Sequence, residues 1–253
     1  MNITFLGTGT SQGIPVIGCG CVVCRSTDER DKRLRTSVMV EDRGSVFVID
    51  TGPDFRQQML REKVNNLDAV LFTHEHKDHI AGLDDVRAYN YLTKRALPIF
   101  ASHAVTQAIR RDYHYVFSEQ KYPGVPELEM NLIGNDPFSI KDTRIVPIQV
   151  FHHTMPVTAF RMNDFTYITD TNRVEPAEME KIRGTKTLVI NALRRESHIS
   201  HFTLQQALQF IDEVNPESAF LIHLSHQMGL HQEVEMELPT RVRVAFDGLR
   251  ITV

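Results

Sequence analysis

The chain has 253 residues, 42% of them hydrophobic, 24% charged and 8% aromatic, with 28 Lys and Arg against 32 Asp and Glu for a net charge of −4. A chain this long buries roughly 70–75% of the surface that its unfolded form exposes, so it can build a full core without staples. The charge balance argues against the broad basic footprint of a general nucleic-acid binder, the ordinary hydrophobic content excludes disorder, and no apolar run approaches the ~18–20 residues of a membrane span.

The opening Ile3–Leu6 reads as a strand that runs into the glycine-rich segment Gly7–Gly13. That segment lacks the Gly-Lys-Ser/Thr ending of a P-loop, which removes nucleotide cradling through that motif. Met1–Gly7 shows neither a charged n-region nor an apolar h-region, so a cytoplasmic location is expected. Ser37–Glu41 and Ser45–Asp50 flank the turn Asp42-Arg43-Gly44 and form a hairpin. A helix is predicted over Asp54–Lys63, and Ala69–Thr73 is a short apolar strand. Helices follow at Ile80–Leu92 and Ala104–Val116, with the strand Leu97–Ala101 between them. After a poorly patterned stretch holding Pro123, Pro126 and Pro137, strands resume at Thr143–Phe151, Thr158–Met162 and Phe165–Thr169. A helix at Pro176–Arg183 precedes the strand Thr187–Ala192. Leu204, Ala207, Leu208 and Ile211 give Thr203–Val214 an amphipathic helical spacing. Ser218–His223, Arg241–Ala245 and Leu249–Val253 complete the strands. Hairpins first, then strands alternating with helices, predict two mixed sheets sandwiched by helices, an α/β (α+β) class. No linker or repeat interrupts the pattern, so residues 1–253 are expected to form one domain.

The strongest chemical signal is Thr73-His74-Glu75-His76-Lys77-Asp78-His79, directly after an apolar strand. Four metal-binding side chains in six residues exceed what a helix cap needs. Imidazole suits Zn, Mn and Fe, and carboxylate extends the range toward harder ions. A run that curls from strand into helix can point His74 and His76 at one metal and Asp78 and His79 at a neighbour. Further candidates stand where later apolar runs stop: His152 after Phe151, Asp170 after Thr169 and His223 after Ile222. The two oxygens of a carboxylate such as Asp170 can each take one ion. The tandem His152-His153 offers two choices, of which His152 is favoured. Asp50, at a strand end, is either a hydrogen-bond acceptor for a ligand histidine or a turn residue.

Cys19-x-Cys21-x-x-Cys24 supplies three thiolates from one loop, with Gly18 and Gly20 permitting the turn. An odd, close-packed set is a poor disulfide framework and a good zinc knuckle.

These motifs resemble the metallo-β-lactamase superfamily of di-metal hydrolases, over nearly the whole chain. That resemblance implies a four-layer αββα sandwich with His74, His76 and His152 on one metal, Asp78, His79 and His223 on the other, and Asp170 bridging. Phe5-Leu6-Gly7-Thr8-Gly9 is similar to tRNase Z and its relatives. The cysteines together with His223-Leu224-Ser225-His226 look closer to the phosphonate-pathway cyclic phosphodiesterases of PhnP type. In that group three cysteines and a late histidine hold a structural zinc, which puts His226 with Cys19, Cys21 and Cys24. A histidine ahead of a late helix there contacts the phosphate and protonates the leaving oxygen, and His201 is the match, with His198 beside it. His103, His114 and His231 are left as structural or surface residues. The chain shows no long basic arm of the kind that grips tRNA.

The implied activity is a metal-dependent phosphodiesterase acting on a small anionic, cyclic diester such as a ribose or nucleoside cyclic phosphate. Two divalent ions, Zn or Mn, bring a bound water's pKa down to about 7, so hydroxide is the expected nucleophile. Asp78 orients that water, and His201, with a reference pKa of ~6.5, suits the proton donor. Competing expectations are a thioesterase or lactonase, a tRNA 3′-processing endonuclease, and a non-catalytic RNA-binding protein with a relic site. A homodimer is common in the resembled group, and neither a membrane nor nucleic acid in general is an expected partner.

Overall fold

The computed structural model describes every residue except Lys121. Strands run in chain order as β1 (Asn2–Gly7), β2 (Ser37–Asp42), β3 (Ser45–Ile49), β4 (Ala69–Leu71), β5 (Leu97–Ala101), β6 (Leu128–Leu132), β7 (Phe138–Ile140) and β8 (Thr143–His152). They continue as β9 (Met155–Met162), β10 (Phe165–Ile168), β11 (Arg173–Val174), β12 (Thr187–Asn191), β13 (Ser218–Ile222), β14 (Val242–Val244) and β15 (Arg250–Thr252). The helices are α1 (Phe55–Glu62), α2 (Lys77–Ile80), α3 (Arg87–Thr93), α4 (His103–Asp112), α5 (Pro176–Ile182), α6 (Leu204–Val214) and α7 (His231–Glu237). One sheet has the order β15-β1-β2-β3-β4-β5-β6; the other is β11-β8-β9-β10-β12-β13-β14, with β7 paired to β8.

The side-chain alternation explains the layers. Along β2 to β4, Val38, Val40, Phe47, Ile49, Ala69 and Leu71 face the second sheet, where they meet Phe160, Phe165, Tyr167 and Val189. The intervening Met39, Val48, Val70 and Phe72 face outward onto Phe55, Met59, Val105 and Ile109 of α1 and α4. In the other sheet Leu188, Ile190 and Leu221 face away from the first, onto Ile182, Ala207 and Ile211 of α5 and α6. Strands buried on both faces read as continuous apolar runs rather than alternating ones, and that is how β4, β12 and β13 appear in the sequence. The four-layer αββα architecture follows. Among the described residues no helix is long and apolar enough to cross a membrane.

Strands β3 to β6 are mutually parallel, as are β10, β12, β13 and β14. Their carboxyl ends therefore gather along common edges, the place where parallel sheets present ligands. Asp50 and His223 each follow the last residue of such a strand and Asp170 stands two residues past one, and all three lie in the left-handed region, with φ of 65°, 56° and 49° respectively for Asp50, His223 and Asp170. Non-glycine residues adopt that conformation at a cost of order 1–3 kcal/mol, a strain that clusters at functional sites.

Several elements differ from expectation. Ile80–Leu92 is not one helix: α2 ends at Ile80, a 3-10 turn covers Leu83–Val86, and α3 follows. The cause is local contact, because Gly82 donates its N–H to Thr51 O (2.8 Å). A Cβ on Gly82 would lie 2.1 Å from Gly52 O, and one on Gly52 would lie 2.1 Å from Asp78 O. Ala104–Val116 also breaks, after Asp112, into a 3-10 turn at His114–Val116. β6, β7, β11 and α7 are additions to the predicted elements.

Gly52→Ala is expected to force the Asp78–Gly82 backbone outward, costing about 1–3 kcal/mol. Thermal unfolding of the two proteins measures the loss, and metal titration should show a weakened site in the same variant.

Candidate metal centre

The side chains of the cluster gather from the ends of five strands: Asp50 after β3, the His74–His79 run after β4, His152 at the end of β8, Asp170 beyond β10 and His223 after β13. Asp50 Oδ1 accepts from Thr73 N (2.9 Å), and Oδ2 accepts from the Thr73 hydroxyl (2.8 Å) and from His79 Nδ1 (2.7 Å). With its proton given to Asp50, the Thr73 oxygen accepts from His74 Nδ1 (3.0 Å). His152 Nδ1 donates to Ser200 O (3.0 Å). These bonds fix three imidazoles with Nδ1 as the donor, turning each Nε2 inward. A hydrogen-bonded second nitrogen is how proteins orient ligand histidines.

The inward atoms converge on Asp170. Its Oδ1 lies 3.1 Å from His223 Nε2 and 3.5 Å from His79 Nε2, while Oδ2 lies 3.6 Å from His74 Nε2. Asp78 Oδ2 joins the first group, 3.2 Å from His79 Nε2 and 3.6 Å from His223 Nε2. In the other group His74 Nε2 is 3.1 Å from His76 Nδ1. The His152 ring is 5.2 Å from the His76 ring and 4.4 Å from that of His201. Thus one carboxylate oxygen faces Asp78, His79 and His223, and the other faces His74.

This donor set fits divalent ions. Atoms bound at ~2.0–2.1 Å to one tetrahedral ion lie roughly 3.3–3.4 Å apart, within the observed spread. His79 Nε2 and both nitrogens of His223 are buried without a hydrogen-bond partner among the described residues. Buried polar atoms are seldom left so, and an ion between them supplies the missing partner.

Electrostatics points the same way. Burial works against every charge here, yet Asp78, Asp170 and Asp50 together hold the His79 imidazolium well above its usual range. Asp78 and Asp170 are correspondingly held well below the carboxylate range by His79 and His223, against burial. His74 is pushed well below the ordinary imidazole value by burial and by the His79 charge. His201 is buried 4.9 Å (ring to ring) from His223, and burial pushes its pKa down to about 3. The expectation of a donor near 6.5 is therefore corrected: in the free protein this imidazole is neutral.

The second cluster lies beside the first. Cys19, Cys21 and Cys24 place Sγ 3.3, 3.4 and 3.6 Å from His226 Nδ1, three residues beyond His223. A hydrogen bond from Cys24 N holds the Cys21 thiol down at about 6, whereas burial pushes Cys24 up to about 11. The set matches a closed Cys3His zinc site. Leu224, between the two clusters, donates to Thr8 O and accepts from Thr10 N (both 3.0 Å), which ties the glycine-rich segment to the same turn.

The twelve candidate metal-binding and catalytic residues named from sequence fall into these clusters, His201 included. His153 does not join them; it is exposed, and its N–H donates to Asn172. His231, left as structural or surface, is buried, and its Nδ1 accepts from Arg33. Thr73, which the sequence reading does not single out, bridges Asp50 and His74, and a hydroxyl directly before a ligand histidine is a readable signal.

Residues 46–224 match the family described as a β-lactamase superfamily domain, a span that contains the paired cluster but not the cysteines. A crystal structure of a diphosphatase from the PhnP family superimposes with a TM-score of 0.93 at 34% identity, covering 100% of this chain and 97% of that one. Human tRNase Z, short form, superimposes at 0.72 with 18% identity, covering 100% and 99%. An octanoyltransferase of Porphyromonas gingivalis is 42% identical over 257 residues, covering 100% of this chain and 52% of that protein. The chain spans about half, or less, of the length of the curated relatives that it matches.

The purified protein should bind about three divalent ions, with the one held by the cysteines the slowest to leave for EDTA. Asp50→Asn should weaken the paired site by about 10–100-fold without touching the third ion, whereas Cys21→Ser should remove only the third. Metal analysis after graded chelation distinguishes these outcomes.

His201 also sets a pH dependence. Its folded pKa, about 3, lies below the ordinary 6.5, so between those values the unfolded chain binds the extra proton and stability falls as pH falls. Metal-free protein should lose about 2 kcal/mol from this group between neutrality and pH 5. His201→Asn should flatten that slope in urea titrations.

Proposed function

The chain belongs to the β-lactamase superfamily, whose members are generally metal-dependent hydrolases, and from that premise we propose that it is a phosphodiesterase for a small anionic diester. The observation that carries this reading is Asp170, whose two oxygens face separate histidine groups and so provide for paired cations. Paired ions suit phosphoryl transfer, where both the attacking and the leaving oxygen need stabilising. The 34% identity to a PhnP-family diphosphatase supports the same chemistry, including cleavage of a P–O–P link in place of a P–O–C ester.

Divalent ions bound there, Zn or Mn, would acidify a coordinated water and draw charge from the phosphoryl oxygens. The chain's own residues do the rest. Asp78, held ionised, accepts a hydrogen bond from the attacking water and sets its direction. His201 enters the reaction neutral and presents a ring N–H to the phosphoryl group. An anionic substrate raises the proton affinity of that imidazole, so His201 gains a second proton on binding and returns it to the departing alkoxide. Asp50 and Thr73 keep His79 and His74 in the tautomer that leaves Nε2 free. A third ion at the cysteines would hold the Thr8–Gly13 segment against the His223 turn.

An acyl-ester or thioester hydrolase is the second reading, favoured by one observation: the 42% identical relative is named an octanoyltransferase. That name belongs to a protein about twice as long, so it does not assign the matched half. One panel separates the readings. With Mn or Zn, bis(p-nitrophenyl) phosphate, a nucleoside 2′,3′-cyclic phosphate and a dinucleoside diphosphate are compared with p-nitrophenyl octanoate and an octanoyl thioester. Phosphoryl cleavage that falls more than about 100-fold in Asp170→Ala and His74→Ala is the expected result. Turnover confined to the acyl substrates overturns the proposal.

A further inference from the structure

Strand β14 ends one sheet and β15 ends the other, and residues of both line a cavity of about 290 Å³. Phe220, Phe246, Leu249 and Ile251 supply its apolar lining, and none of its residues belongs to either metal cluster. Ligand pockets begin at roughly 300 Å³, so this one suits a small molecule.

Two polar groups stand at this apolar space without partners. The first is His231, which lines the cavity and is 3% exposed. A guanidinium can only donate, so Arg33 gives a hydrogen bond to His231 Nδ1 (3.2 Å), while the His231 backbone N–H donates to Asp31 Oδ1 (2.7 Å). Burial and the Arg33 charge push the imidazole pKa down to about 4, so the ring is neutral and its one proton sits on Nε2. Among the described residues nothing accepts from that N–H. A buried donor is seldom left so, and this one is held in a fixed direction.

The second is Arg243. Its neighbours Val242 and Val244 join the core under the outer helices, with Val234 of α7. Alternation along β14 puts Arg243 on the opposite face, in register with Phe220, a residue of the core between the sheets. Among the described residues its guanidinium makes neither a hydrogen bond nor an ion pair, although Arg241, two positions earlier, has Asp212. The other charged groups of the cavity are already engaged: Arg30 binds Asp28 (2.7 Å), and the Glu235 carboxylate accepts from Val244 N (2.7 Å).

We propose that this cavity binds a small carboxylic acid with an apolar body, its carboxylate held by Arg243 and the His231 Nε2–H and its body packed among Phe220, Phe246, Leu249 and Ile251. The planar fork of a guanidinium matches a carboxylate, and hydrogen bonds between such ions are the strong ones. The apolar lining selects an organic acid over an inorganic anion. The site is separate from the metal centre and does not rest on the phosphodiesterase reading.

The test is binding to zinc-loaded protein, followed through backbone amide chemical shifts. Phenylacetate is titrated against phenylacetamide, and hexanoate against hexanamide. In at least one pair the acid should bind about tenfold tighter or more than its amide, the size of a charge-assisted contact. The shifts should gather at Phe220, His231 and residues 246–251. Arg243→Gln should bring the ratio of acid to amide close to one, and Arg243→Lys, which keeps the charge but loses the fork, should retain part of it. Arg243 has no partner within the chain, so both variants should keep the fold, which the rest of the spectrum reports. Equal affinities within both pairs, shifts confined to the metal ligands, or a ratio unchanged in Arg243→Gln overturn the site.

Discussion

The structure is organised around carboxylates that it buries at the meeting line of two sheets. An ionised carboxylate removed from water is costly unless paired, and Asp78 and Asp170 stay ionised because His223 and His79 face them, His79 itself held protonated. That proton occupies a position a divalent ion can take more effectively, since a histidine must lose its proton to become a ligand and metal binding releases it. The free protein therefore keeps in imidazolium form the positive charge that the donor atoms are spaced to receive from an ion.

Holding these groups together against their own repulsion falls to backbone contacts around the site. The left-handed turns at Asp50, Asp170 and His223 rotate each side chain out of its strand and into the shared edge. The approach of Gly52 and Gly82 brings the His79 turn against the end of β3, where Thr51 N donates to His79 O (2.8 Å). On the other side buried Arg33 donates to the Thr8 hydroxyl (2.8 Å) and to Ala245 O (2.6 Å), so the segment before β2 is locked to the end of β14. Its guanidinium is fully buried, and burial pushes its pKa down to about 10, still charged at neutrality.

Much of this was legible in the sequence because function sits where apolar runs stop. β4, β10, β12 and β13 are buried on both faces, so their ends are sharp, and a His or Asp at such an end stands out. What was missed lacks that contrast. β6 is a half-exposed edge strand bearing Glu129 and Asn131, residues depleted in strands, and β7 and β11 are only three and two residues long. α7 buries only His231 and Val234, too few for an apolar stripe. The proton affinity of His201 was misjudged because it depends on burial among His152, His198 and His223, which converge only in the fold.

Residues 46–224 hold the whole paired cluster, while the cysteines and His226 fall outside that span. This division separates chemistry from support. The donor atoms for hydrolysis come from rigid strand ends, which fix where a scissile group binds but leave little room to distinguish one ester from another. Discrimination then belongs to segments laid over that edge. The 194–201 loop is suited to it: it is anchored through His152 to the metal centre and through Gln227 to the turn beside His226, so its outward groups are positioned by both clusters.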